Sequence, residues 1–119
     1  MSSFGLPEQT LAIIRRILAD YPAVEQAILY GSRAKGNYRK GSDIDLTLTG
    51  DSLDHRILGE IAGRLEDSPI PYQVDLSIRN YIDSPSLLEH IERVGVVFYQ
   101  RLTSIDSELV NRTEHKDSE

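Results

Sequence analysis

Two aspartates one residue apart, Asp43 and Asp45, follow a Gly31-Ser32 pair after ten residues that carry Arg33, Lys35, Arg39 and Lys40 and no acid. Ile44, Leu46 and Leu48 alternate with Asp43, Asp45 and Thr47, which is the period of a strand, so both carboxylates face one way, about 7 Å apart along the chain. Like charges on one face repel, and a cation between them relieves that cost, so the pair predicts a metal site. Asp75 adds a third acid. It sits in Gln73–Ile78, where Val74, Leu76 and Ile78 share one face and leave Asp75 on the polar one. Asp-x-Asp alone marks many solvated strand ends and Gly-Ser any turn; in this order and spacing they are far more specific.

The loop between these elements suits an anion. Ser32 is expected to cap a short helical turn over Arg33 to Gly36, turning free backbone N–H groups and a positive helix end toward a phosphate. It is not a Walker loop, because no Gly-Lys-Ser/Thr follows. Arg33 is the foremost phosphate candidate, directly after the turn and able to grip phosphate oxygens with two parallel bonds. Lys35, Arg39, Lys40 and Ser42 complete the phosphate-binding set with Gly31 and Ser32; Tyr38 could stack on a base, but an exposed tyrosine is common. Taken singly, each basic residue also fits an ordinary solvated loop.

Gly31-Ser32, Asp43-x-Asp45 and Asp75 on a later strand resemble the signature of the DNA polymerase β nucleotidyltransferase superfamily, in its minimal nucleotidyltransferase (MNT) branch. The resemblance runs from about Val24 to Tyr99. It implies that the Gly-Ser turn and the helix start behind it hold a triphosphate while Asp43, Asp45 and Asp75 hold two magnesium ions. It also implies a small helical partner of the HEPN type, a toxin that the nucleotidyltransferase neutralises by binding and by attaching AMP to a tyrosine.

At 119 residues the chain is one domain, too small for a catalytic domain plus a separate substrate domain. Another molecule must therefore help present the acceptor. The chain has no cysteine, hence no disulfide or thiolate metal site, and neither a secretory signal nor an apolar run long enough to span a membrane. A cytoplasmic protein is expected. The formal net charge is −6, but the loop from 31 to 42 holds four of the positive charges, leaving −10 on the remainder. Such a concentration suits a phosphate ligand and argues against direct nucleic-acid binding.

The elements that must position these residues read as follows. Met1 to Leu6 is expected to be a frayed start, and Pro7 opens a helix with Leu11, Ile14 and Leu18 on one stripe, stopped at Tyr21-Pro22. Val24 to Tyr30 is the first strand, delivering Gly31 at its carboxyl end. Asp51 or Ser52 is expected to cap a second helix bearing Leu53, Ile57, Leu58, Ile61, Ala62 and Leu65. Ser84-Pro85 starts a third, with Leu87, Leu88, Ile91 and Val94 as its stripe and Gly95 at its end, before a short strand from Val96 to Tyr99. Residues 1–103 form the domain, and 104–119 are expected to be a charged, disordered tail or a segment that orders on a partner. His55, His90 and His115 lack ligand spacing and read as surface residues.

The expected architecture is a small α/β (α+β) domain, a mixed sheet with three helices on its apolar face and the acids on an open polar face. Its expected chemistry is transfer of a nucleoside monophosphate, AMP from ATP, to a partner's hydroxyl. In that reading Asp43 and Asp45 bridge two magnesium ions and Asp75 takes the acceptor's proton. The alternatives are a binding module that neutralises its partner without chemistry, and transfer to a small molecule or RNA.

Overall fold

The computed structural model describes residues 4–101, so the tail expected from 104 onward lies outside the described residues. Helix α1 (Glu8–Ala19) leads into strand β1 (Gln26–Tyr30), a single helical turn α2 (Ser32–Lys35) and strand β2 (Ile44–Thr49). Helix α3 (His55–Asp67), strand β3 (Val74–Ile78), a 3-10 turn (Arg79–Tyr81), helix α4 (Pro85–Val94) and strand β4 (Val96–Gln100) complete the chain. The sheet order is β3-β2-β1-β4, with β1 antiparallel to both neighbours and β2 parallel to β3. A parallel pair needs a crossover, and α3 supplies it.

Alternation sets the two faces. Ala27, Leu29, Ile44, Leu46, Leu48, Ile78 and Phe98 join Leu11, Ile14 and Leu18 of α1 and Ile61 and Leu65 of α3 in one buried core. Removing a side chain such as Leu46, fully buried there, typically costs about 2–5 kcal/mol. Ala62 lies on the solvent side of α3 and takes no part.

Three local expectations are corrected. The start of the chain is not frayed from Phe4 onward: Leu6 is fully buried and Phe4 packs against the core, its ring 6.2 Å from that of Phe98. Pro7 stands at the N-cap of α1, one residue before the helix. Helix α3 is capped by Asp54, whose carboxylate accepts from the Ile57 amide at 2.9 Å, and not by Asp51 or Ser52. The start moves because Leu53 is buried ahead of the cap and Leu58 packs on the same core, as in a hydrophobic staple. At α4 the expected cap holds, with Ser84 accepting from Leu87 and Pro85 at the first position.

The fold class is as expected, but α4 is not on the side of α1 and α3. Its His90 ring meets Tyr30, and a Cβ on Gly95 would lie 2.8 Å from Ile28 Cγ2. Tyr30 and Ile28 alternate with Ala27 and Leu29, so α4 lies on the polar face, over β1. An amphipathic stripe says that a helix has something to cover, not which face of the sheet receives it. Gly95 ends the helix in extended backbone at φ −63°, and its missing Cβ permits this close approach.

Candidate active site

Strand register brings the acids together. Tyr30 pairs with Asp45, and Asp45 with Asp75, so the three side chains form a row across β1, β2 and β3 on the polar face. Ile28, Thr47 and Ser77 form the next row, where the Ser77 hydroxyl lies 2.9 Å from that of Thr47. Asp43 stands one residue before β2 and is exposed, as is Asp75 on the edge strand β3.

Asp45 is half-buried between them. Burial raises its pKa above the ordinary carboxylate value, and the negative charges of Asp75 and then Asp43 push it the same way, with His90 opposing. The Tyr30 hydroxyl is pushed the same way, chiefly by burial and further by the charges of Asp45 and Asp75, with the Ser77 hydroxyl opposing. The site is therefore short of positive charge, and this donor set fits a hard divalent cation. Among the described residues no three such side chains are gathered closely enough to hold one ion as they stand.

Gly31 forms the bend between β1 and α2. Its φ of 78° and ψ of −157° lie in a region that glycine alone adopts without strain, and any Cβ there would run into the Asp45 carboxylate. It also occupies the cap position of α2 that was expected of Ser32, which becomes the first helical residue. The turn closes through Lys35 N–H to Gly31 O at 3.1 Å and Gly36 N–H to Ser32 O at 2.9 Å.

Arg33, the foremost phosphate candidate, is only 3% exposed and is committed elsewhere. Its Nε and Nη2 donate to Ser42 O at 3.0 and 2.8 Å, and its Nη1 donates to Phe4 O at 2.9 Å. The guanidinium lies 5.1 Å from the ring centres of both Tyr38 and Tyr72. It ties the two ends of the basic loop to each other and to the start of the chain, and its fork does not face a ligand. Ser42 is drawn into the same device, its hydroxyl accepting from the Arg39 amide at 2.8 Å. Tyr38 lies against Gly5 and Arg33, so stacking on a base would use its outer face alone. Lys35, Arg39 and Lys40 remain exposed along the loop.

Two residues here were not predicted from sequence. Tyr30 was identifiable in principle, since it directly precedes Gly31 at the end of the first strand. His90 was not, because its contact with Gly31 spans 59 residues and leaves no local spacing.

A family model described as "Polymerase beta, Nucleotidyltransferase" matches residues 13–104. The chain is 28% identical over 110 residues to the probable protein adenylyltransferase MntA of Haemophilus influenzae, covering 89% of this chain and 96% of that protein. A crystal structure of a toxin–antitoxin with AMP-PNP superposes with a TM-score of 0.62 at 25% identity, over 95% of this chain and 91% of the other. A structure of tri-AMPylated Shewanella oneidensis HEPN toxin in complex with MNT antitoxin gives a TM-score of 0.59 at 23% identity, over 93% and 89%, a likeness of fold.

Proposed function

Because the chain belongs to the polymerase β nucleotidyltransferase family, we propose that it transfers AMP from ATP to a hydroxyl of a HEPN-type partner protein and so acts as the antitoxin of a toxin–antitoxin pair. The observation that carries the reading is the pairing of Asp45 with Asp75 on adjoining strands directly beside the Gly31 turn. The Haemophilus influenzae relative, named as a protein adenylyltransferase over nearly its whole length, supports the acceptor class.

Asp43, Asp45 and Asp75 would hold magnesium, which when bound supplies the positive charge that neutralises the triphosphate and activates the attacking oxygen. The chain's own residues do the rest. The Gly31-Ser32 turn, with Lys35, Arg39 and Lys40 around it, receives the β- and γ-phosphates and steadies the charge that develops on pyrophosphate. The acceptor oxygen attacks the α-phosphorus as the bond to pyrophosphate breaks, and Asp75 accepts the hydroxyl proton. Asp75 suits that role because β3 is an edge strand, so its carboxylate lies where a second protein can reach. A tyrosine hydroxyl suits it too, with a reference pKa near 10.

The test is incubation of the purified complex with magnesium and ATP labelled on its α-phosphate. Label should appear on the partner, with an AMP-sized mass increase, and should be absent with Asp45→Asn. Label on a small molecule or RNA, or on nothing, would overturn the reading.

A further inference from the structure

We infer that His90 is a positioning residue that fixes the Gly31 amide, and through it the aim of the phosphate-holding turn, from 59 residues further along the chain. The pairing of β1 with β2 ends at Tyr30, and that with β4 ends at Leu29, so Gly31 lies beyond both ladders. Its N–H has no strand partner, and an amide left unpaired away from water costs about 1–3 kcal/mol. His90 Nε2 accepts a hydrogen bond from that N–H at 3.2 Å.

The ring is itself held in place. It meets Tyr30 edge-on, with centroids 6.1 Å apart and planes at 82°, and the next residue, Ile91, is the buried anchor of α4. One turn later Gly95 brings the helix end against Ile28. Helix α4 thus grips β1 at two points, and the forward one is the histidine. Without it the turn would keep the Lys35-to-Gly31 and Gly36-to-Ser32 bonds but lose the contact that sets its angle to the sheet.

The contact also fixes the tautomer. A backbone N–H can only donate, so Nε2 must carry the lone pair and Nδ1 the proton. This feature needs neither nucleotide nor partner, whereas the positioning role rests on the reading of Gly31-Ser32 as a phosphate site.

The experiment has two arms. In the full-length wild-type protein, long-range proton–nitrogen NMR correlations of the His90 ring at about pH 8 should show Nε2 unprotonated and Nδ1 protonated. A ring with its proton on Nε2 would overturn the inference whether or not the protein proves to be an enzyme. In the complex, His90→Phe keeps an aromatic edge against Tyr30 but offers no acceptor, while His90→Gln places an amide oxygen at similar reach. kcat/KM for ATP should fall about tenfold in His90→Phe, the worth of one such hydrogen bond, with His90→Gln close to wild type. The reverse order, with Phe tolerated and Gln impaired, would mean that the ring only packs and would also overturn the inference. Should His90→Phe fail to fold, the tautomer still decides.

Discussion

A methyl group on Gly31 would occupy space held by the Asp45 carboxylate, so the Gly31 turn and the acidic row are packed against each other with no intervening side chain. The bend is at φ 78°. Gly31→Ala therefore meets both a steric collision and a backbone conformation that costs a non-glycine residue about 1–3 kcal/mol. A drop in Tm of at least several degrees is expected, together with near-complete loss of nucleotidyl transfer. Thermal denaturation and the labelled-ATP assay check the two effects, and a fully active, equally stable variant would contradict the packing described.

Asp45 gives a pH dependence whose sign is fixed. Its pKa is raised in the folded protein, by burial first and then by Asp75 and Asp43, above the ordinary value of 3.8. The folded state therefore holds this proton more tightly than the unfolded chain does. The resulting stability is fully present below the unfolded pKa and is lost as pH rises through the folded one. In metal-free buffer Asp45→Asn should match wild type at low pH and exceed its Tm near neutrality. Magnesium should raise the Tm of wild type and raise that of the variant less. Melting curves in chelator and in magnesium, across pH, test all four statements.

The acidic row was legible from sequence because strand alternation is local: Asp43, Asp45 and Asp75 reveal their side through the apolar residues between them, and Gly31-Ser32 marks its own turn. What failed was whatever depended on distant partners. Leu6 looks like part of a loose start until α1 and the sheet close over it. Arg33 looks like a phosphate ligand until the carbonyls of Phe4 and Ser42 are placed on either side of its fork. The stripe of α4 is symmetric with respect to the two sheet faces, and only tertiary contacts with Ile28 and Tyr30 select one.

The basic loop should divide into two kinds of residue. Arg33→Ala leaves the carbonyls of Ser42 and Phe4 without their donors, at about 1–3 kcal/mol for each group left unpaired. Arg33→Lys should fare little better, since one ammonium cannot span both. Lys35→Ala, on an exposed site, should leave Tm within a degree or so but weaken ATP binding, with a steeper loss at high salt. Calorimetric titration with a non-hydrolysable ATP analogue, set beside melting curves, separates structural from ligand-facing loss.

Asp75 separates chemistry from association. It is exposed on the edge strand, beside Asp45 and away from the buried core, so Asp75→Asn removes charge and proton affinity with no cavity and little change in packing. Removing one like charge should relieve repulsion in the metal-free protein, so stability should hold or rise. The transfer rate should fall by about 10²–10⁴, the usual worth of a positioned base, and metal affinity should drop with it. Binding to the partner should persist, because a carboxamide keeps the size and shape of the carboxylate it replaces. Label transfer, magnesium titration and co-purification on one variant read the three quantities separately. Retained transfer with lost binding would move Asp75 out of the chemistry and into the interface.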